Sequence, residues 1–274
     1  MELNKVIDLE ALAASGFPEG LIEQANAFME LMMQYRCALM EVQTKLNVLN
    51  AEFTMKNNRN PFESIKSRIK TPKSIIEKLQ RKGYEISVKG IEENLADVAG
   101  IRVICSFPDD IYATAKMLTD QDDIRVIQVK DYIINPKPNG YRSLHLILEV
   151  PIFLSNEKKN MKVEVQFRTI AMDFWASLEH KIYYKFEGNA PDYLEQELKA
   201  CADMADMLDN KMFSLNQAIT KIAEEQAKEK EAAKVAEKMK KAEREDVPAG
   251  NEQEPKDGKR SGEAASGNRK EAGE

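Results

Sequence analysis

The stretch MKVEVQFRT, residues 161–169, alternates apolar and polar side chains along its whole length. A period of two residues is typical of a β-strand with one buried face. The polar face carries four side chains spaced about 6.5–7 Å apart, namely Lys162, Glu164, Gln166 and Arg168. Taken alone, this row favours a solvent-facing strand with compensating charges over the floor of an active site.

Two further stretches favour an active site. In GYRSLHLILEV (140–150), a phenol, a hydroxyl and an imidazole share the face opposite four apolar residues. In DVAGIRVICSF (97–107), an arginine lies opposite the apolar face and an aspartate precedes the strand. If the three strands adjoin in one sheet, its polar face gathers two carboxylates among cations, an aromatic ring and a histidine: Asp97, Arg102, Tyr141, His145, Glu164, Gln166 and Arg168. A solvated surface does not require such a set.

The rest of the chain predicts one more strand and several helices. A fourth strand is expected at 124–134, after strands at 101–107, 143–150 and 161–168. Helices are expected at 21–57, 71–83, 108–120, 169–186 and 191–244, the first as one long helix or a pair. Four strands flanked by helices predict an α+β or mixed α/β domain.

Composition suggests how the chain is organised. We expect N-terminal helices over 1–60, a catalytic core over 61–190, C-terminal helices over 191–245 and a disordered tail over 246–274. The tail has no large apolar residue beyond Val247, so it cannot bury a core. The net charge of -6 argues against a surface built wholly for nucleic acid. Between Lys56 and Lys89, however, ten basic residues face three acidic ones, which indicates a localised anionic partner such as phosphate groups.

Several classes of protein are excluded. Three distant cysteines and two histidines fit no metal-binding spacing, and the cysteines read as reduced thiols of a cytoplasmic protein. No signal peptide and no apolar run of about 18 residues is present, so a membrane partner is not expected. The absence of GxxxxGK[ST] excludes a P-loop NTPase.

Two segments near the strands suit nucleotide binding. The helix predicted at 71–83 turns Ser74, Lys78 and Arg81 to one face and buries Ile75, Ile76 and Leu79 on another. A solvated basic face is the simpler interpretation, unless metal-binding carboxylates lie opposite it. The loop NPKPNGYRS (135–143) presents a tyrosine on a rigid turn, which suits either an ordinary hairpin or a nucleobase platform worth about 1–3 kcal/mol per stacked base.

Five motifs together resemble the synthetase domain of the RelA/SpoT family. They are SRIKTPKSIIEKLQRKG, DVAGIRV, NGYRSLH, VEVQFRT and FWASLEHKIYYK, and they span residues 62–186 in the family's order. The resemblance implies a nucleotidyltransferase-like mixed sheet of about five strands, with a long helical C-terminal extension. The short chain is most similar to the small alarmone synthetases, of the homotetrameric subtype.

The resemblance also implies a reaction and its residues. The pyrophosphoryl group of ATP moves to the 3′-hydroxyl of GDP or GTP, which gives AMP and the alarmone (p)ppGpp; no hydrolase activity is expected. Asp97 and Glu164 would hold Mg²⁺, and Glu164 would also orient or deprotonate the attacking hydroxyl. The implied ATP-binding residues are Arg68, Lys70, Lys78, Arg81, Arg102 and His145, with Arg68 and Arg102 stacked on the adenine. The implied GDP/GTP-binding residues are Tyr141, Lys137 and Gln166.

Some features do not follow the resemblance. In the tetrameric subtype a cleft formed partly by residues before SRIK mediates activation by the product, but Ser64 stands here where an aromatic residue is expected. Product activation is therefore not carried over, and the segment after Ala223 receives no function. The choice among GDP, GTP and GMP is left open.

Two other functions compete with the enzyme. One is a regulator that binds single-stranded RNA through the basic block 56–89 and Tyr141. The other is a helical interaction protein built on the terminal helices.

Overall fold

The computed structural model describes residues 19–57, 59–184 and 191–245. Eleven elements follow one another there: α1 (Glu19–Asn57), β1 (Phe62–Ile69), α2 (Pro72–Lys82), α3 (Val88–Asn94), β2 (Ala99–Cys105), α4 (Pro108–Thr119), β3 (Arg125–Asp131), β4 (Leu144–Phe153), β5 (Lys158–Thr169), α5 (Ile170–Tyr184) and α6 (Asp192–Glu245). The predicted tail at 246–274 lies outside the described residues. None of the helices in this part of the chain has the length and apolar composition of a membrane span.

The five strands form one mixed sheet in the order β1-β2-β5-β4-β3. Strands β2 and β5 run parallel, and the other three pairings are antiparallel. The α+β prediction with about five strands is confirmed, and so is the assumption that the three polar-faced strands adjoin. Register places Arg102 beside Gln166, and Gln166 beside His145, so these side chains form one row across the sheet.

The other face of the sheet carries the core. Seven of its residues are at most 3% exposed, namely Ile101, Val103, Leu146, Leu148, Val163, Val165 and Phe167. Helix α1 packs across four strands, and its Leu39, Val42 and Leu46 join the same cluster, while α4 packs on β2 and β5. Helices cover the apolar face, as the alternation predicts, and leave the polar face to build a site.

Two elements were not predicted from the sequence. Strand β1 has no clean alternation: it lies at the edge of the sheet, and its pairing with β2 shifts register between Phe62 and Ser64. Helix α3 has only seven residues and is capped at its N-terminus by Ser87, whose hydroxyl accepts a hydrogen bond from the Gly90 amide. A seven-residue helix has about two turns, which are too few for its periodicity to be recognised in the sequence.

Two predicted details differ in the structure, and one alternative is decided. Strand β3 ends at Asp131 rather than at 134, and the region before Asn57 forms one long helix rather than a pair. In α2, Ile75 and Leu79 are fully buried, but Ile76 is 40% exposed.

The chain forms two compact units that divide after Ala218, inside α6. The described part of the second unit is helical up to Glu245, and its described side chains are exposed. The predicted boundaries at 60, 190 and 245 remain predictions.

Candidate active site

Asp97 lies in the turn between α3 and β2 and is bound by two lysines. One oxygen, Oδ2, lies 2.6 Å from Lys70 Nζ and 2.7 Å from Lys78 Nζ. The other, Oδ1, is buried and has no hydrogen-bond partner. Burial acts to raise the pKa of Asp97, but the hydrogen bonds and charges of Lys70 and Lys78 outweigh it and lower this pKa. The carboxylate is therefore ionised, and one oxygen remains available to a further ligand.

Local structure explains how both lysines reach Asp97. Lys70 directly follows β1, and its amide donates to the carbonyl of Val98 at 2.8 Å, which joins the end of β1 to the Asp97 turn. Helix α2 begins with Thr71 as its N-cap and ends at Gly83, whose φ of 70° is left-handed, as the sequence predicts. This orientation brings Lys78 to Asp97 and leaves Arg81 exposed at the end of the helix.

Arg68 and Arg102 lie on the polar face of adjacent strands. In the pairing of β1 with β2, Arg68 is opposite Gly100, so it is a diagonal neighbour of Arg102 on the same face. Arg68 is exposed. Arg102 is half-buried and its Nη1 donates to Asp173 Oδ1 at 3.2 Å. Burial and the nearby charge of Arg168 lower the pKa of Arg102.

Glu164 lies at the centre of β5, with a hydrogen bond to each carboxylate oxygen. His145 Nδ1 is 3.2 Å from Oε1, and Gln166 Nε2 donates to Oε2 at 2.9 Å. Burial acts to raise the pKa of Glu164, but the hydrogen bond and charge of His145 and the hydrogen bond from Gln166 outweigh it and lower this pKa. The negative charge of Asp97 acts to raise the pKa of Glu164, so the two carboxylates are close enough to interact electrostatically.

Tyr141 lies among cations and aromatic rings at the end of the 132–142 loop. Its hydroxyl is 2.8 Å from His145 Nε2, and Arg168 lies 5.1 Å from its ring centroid. Lys137 Nζ lies 4.8 Å from the centroid of Tyr141 and also 4.8 Å from that of Tyr132. The predicted turn is present, since the Gly140 amide donates to the Lys137 carbonyl at 2.8 Å with a φ of 88° at Gly140. A Cβ at Gly140 would also come within 2.5 Å of the Ala202 side chain, so glycine lets the loop pack on α6.

Arg168 and Lys162 are not the neighbouring surface charges that the sequence allowed. Arg168 is only 5% exposed, and its Nη1 donates to Asp173 Oδ1 at 2.9 Å. Lys162 donates to the carbonyl of Glu92 at 2.7 Å and so caps the C-terminus of α3. Both therefore have fixed structural partners around the site.

Sequence reasoning missed Asp173 and Tyr132. Asp173 lies in the first turn of α5 and joins Arg102 to Arg168, and an acidic residue just after a VEVQFRT strand is a usable signal for that role. Tyr132 packs edge-on against His145 with ring centroids 5.3 Å apart. No sequence pattern indicated a role for Tyr132, because its position depends on where β3 ends.

The described residues contain no preformed metal cage. In this part of the chain no group of three or more His, Cys, Asp or Glu side chains could hold an ion. Three of the buried polar atoms that lack a partner nevertheless lie at this site, namely Asp97 Oδ1, Arg102 Nε and Arg168 Nε. Mg²⁺ is commonly bound by one or two carboxylates together with substrate phosphates and water, so the donor set fits that ion.

Comparison with known proteins identifies the family. Residues 67–189 match the model described as a region found in RelA / SpoT proteins. The chain is 48% identical over 188 residues to the GTP pyrophosphokinase YwaC of Bacillus subtilis, a match that covers 69% of this chain and 90% of that protein.

Solved structures agree. The small alarmone synthetase 2 of Bacillus subtilis is 48% identical with a TM-score of 0.63, covering 69% of this chain and 97% of that one. The small alarmone synthetase 1 of the same organism, bound to its product pppGpp, is 34% identical with a TM-score of 0.65, covering 70% and 97%. The identity to YwaC over most of both proteins, together with the match of residues 67–189, shows that the chain belongs to the RelA/SpoT family.

Proposed function

We propose that the chain is a (p)ppGpp synthetase that transfers the pyrophosphoryl group of ATP to the 3′-hydroxyl of GDP or GTP. A bond forms between the 3′-oxygen and the β-phosphorus, the bond from that phosphorus to the α,β-bridging oxygen breaks, and AMP leaves. Family membership supports this reaction. The observation that carries it is the pair of ionised carboxylates, Asp97 and Glu164, on a sheet face lined by lysines and arginines. Phosphoryl transfer depends mainly on such positioning and charge neutralisation.

Glu164 is the proposed base for the acceptor hydroxyl. Its lowered pKa keeps it ionised at neutral pH, so it can take the proton that the 3′-hydroxyl loses. Each of its oxygens accepts one hydrogen bond, and lone pairs remain for the substrate.

Asp97 and Glu164 are the proposed Mg²⁺ ligands. The unpartnered Oδ1 of Asp97 supports this role, because a buried carboxylate oxygen without a donor is suited to a cation. When bound, the ion would neutralise charge on the phosphate oxygens. Lys70 and Lys78 stand at the same carboxylate, where they would contact the phosphates of ATP.

The remaining site residues divide between the two nucleotides. Arg68 and Arg102 are diagonal neighbours, which supports adenine binding between their guanidinium groups. Arg81 would reach the phosphates from the end of α2, and His145 would act beside Glu164. Tyr141, Lys137 and Gln166 would bind the guanine nucleotide, with Lys137 moving off the Tyr141 ring to admit the base.

A product assay tests the proposal. We expect the protein, with ATP, Mg²⁺ and GDP or GTP, to release AMP in equal amount to a 3′-pyrophosphorylated guanine nucleotide. Glu164→Gln keeps the shape of the side chain and should abolish both products. A folded wild-type protein that forms neither product would overturn the proposal.

The single-stranded RNA alternative has no supporting observation. Lys70 and Lys78, which belong to the basic block 56–89, are bound to Asp97 rather than arranged as a free basic strip. Substrates such as ATP and GTP also fit an enzyme that acts in the cytoplasm.

Assembly into a homotetramer is proposed from helix α5. Its apolar residues Ile170, Phe174, Leu178 and Ile182 repeat every four positions and are 40–64% exposed, whereas the helix buries Met172, Trp175 and Ala176 instead. Such a stripe is typical of an interface between copies. Phe174→Glu should lower the molar mass measured by light scattering, and an unchanged mass would exclude this helix.

A further inference from the structure

Five side chains, Glu164 among them, form a closed ring of hydrogen bonds. On one arm, Arg168 Nη2 lies 2.8 Å from the Tyr141 hydroxyl, which lies 2.8 Å from His145 Nε2, and His145 Nδ1 lies 3.2 Å from Glu164 Oε1. On the other arm, Arg168 Nη2 lies 3.3 Å from Gln166 Oε1, and Gln166 Nε2 lies 2.9 Å from Glu164 Oε2. Both arms therefore start at Arg168 and end on Glu164.

The chemistry of the two end groups fixes the direction of the bonds that they make themselves. A guanidinium has only donors and an ionised carboxylate has only acceptors. Tyr141 accepts from Arg168, and His145 donates from Nδ1 to Glu164, so in the neutral imidazole Nε2 accepts the proton of the Tyr141 hydroxyl. Gln166 accepts at Oε1, so its amide nitrogen must face Glu164.

Without Arg168 each arm would be oriented from its Glu164 end alone. A glutamine amide can flip and present its oxygen to the carboxylate, and a tyrosine hydroxyl can rotate away from the histidine. Arg168 opposes both changes. A flipped Gln166 would turn its NH₂ group toward the guanidinium, and a rotated Tyr141 hydroxyl would turn its proton toward the guanidinium. Arg168 is itself fixed by Asp173 Oδ1 at 2.9 Å and by burial to 5% exposure.

We propose that Arg168 is a positioning residue that holds Glu164 in its reactive orientation through the Tyr141–His145 arm and the Gln166 arm. This inference rests on the proposed function, since Glu164 is the base in that reaction. Arg168 is joined to Glu164 through these two arms, so its loss should lower kcat rather than raise the KM of a substrate. The loss of an orienting residue of this kind typically costs about 10- to 100-fold in activity.

The first test replaces the planar guanidinium group of Arg168 and keeps its positive charge. In Arg168→Lys the single ammonium cannot reproduce the planar fork toward Asp173, Tyr141 and Gln166. We expect kcat to fall about 10- to 100-fold while the KM values for ATP and GDP stay within about twofold. Arg59→Lys is the matched control, because Arg59 also donates two hydrogen bonds to a buried carboxylate, that of Asp110, away from Glu164. The control should keep the wild-type kcat.

Tyr141→Phe tests one arm and does not depend on the stability of the Arg168 variant. It removes a single hydroxyl and keeps the ring, so a tyrosine that only stacks on a base would lose nothing. We expect kcat to fall about tenfold with an unchanged KM for GDP. Wild-type kcat in Tyr141→Phe would overturn the proposal even if Arg168→Lys failed to fold.

The final test asks whether Arg168 acts through Glu164. Glu164→Asp withdraws the carboxylate from both arms but keeps an ionisable group, and Arg168→Lys in that background should lower kcat less than about threefold. Effects that multiply fully would overturn the proposal. A wild type that makes no product would overturn the proposed function and this inference together, whereas an active wild type with an unaffected Arg168→Lys overturns the inference alone.

Discussion

The two carboxylates of the site are kept ionised by different means. Asp97 is held by two ammonium groups on flexible side chains, and Glu164 is held by the imidazole of His145 and the amide of Gln166 within a closed ring. Lysine is a mobile point charge that can turn to a phosphate, whereas the ring around Glu164 fixes each bond in direction. The comparison indicates an adaptable side of the site at Asp97, for metal and phosphates, and a rigid side at Glu164, for proton transfer.

The largest expected effects should separate the two carboxylates by their response to Mg²⁺. Glu164→Gln removes the base together with one Mg²⁺ ligand, and general base catalysis contributes about 10²–10⁴-fold, so we expect a loss of at least that size to remain at saturating Mg²⁺. Asp97→Asn weakens one metal ligand, so part of its loss should be recovered as Mg²⁺ rises. Initial rates of AMP release over a Mg²⁺ titration measure both. If Mg²⁺ rescued Glu164→Gln as well as Asp97→Asn, the division of roles would be wrong.

A smaller effect is expected from the lysines at Asp97. Lys78→Met should raise the KM for ATP about tenfold with a lesser change in kcat, because one charged hydrogen bond to a phosphate contributes about 1.5–3 kcal/mol. The control is Lys73→Met on the same helix, whose side chain is 86% exposed and pairs with Glu77 instead. Equal effects of the two variants would show that α2 contributes only a general positive charge.

The difference between these two sides also explains what could be predicted from the sequence. Strand alternation is local, so it located Glu164, Gln166 and His145 on one face, and the structure places them in adjacent register. The partners of Asp97 could be named only through the motifs, because its contacts join a turn, an edge strand and a helix. Whether Arg168 and Lys162 are surface charges was left open, since alternation predicts the side of the sheet on which a residue lies and not how deeply it is buried. Asp173 required knowing where the next helix packs on the sheet.

A third carboxylate, Asp209, offers a contrast to Asp97 in the pH dependence of stability. Burial raises the pKa of Asp209, the hydrogen bond from Thr169 at 2.6 Å opposes this, and the charge of Asp206 adds to it. A lowered folded pKa, as at Asp97, contributes stability above the unfolded pKa of about 3.9 that is lost as pH falls through the folded value. A raised folded pKa, as at Asp209, has the opposite sign, because the ionised form is destabilising at neutral pH and protonation relieves it.

The smallest predicted effect follows from this contrast and is measured by urea unfolding between pH 7 and pH 3. Asp97→Asn should make the free energy of unfolding fall less steeply than that of the wild type as pH drops, because a carboxylate that favours the folded state is gone. Asp209→Asn should make it fall more steeply and should change stability at pH 7 by at most about 1 kcal/mol, since an amide oxygen can still accept from Thr169. A loss of more than about 2 kcal/mol at pH 7 would mean that Asp209 is needed as an anion. In that case ionised Asp209 would stabilise the fold as Asp97 does. The two carboxylates would then contribute to the free energy of unfolding with the same sign.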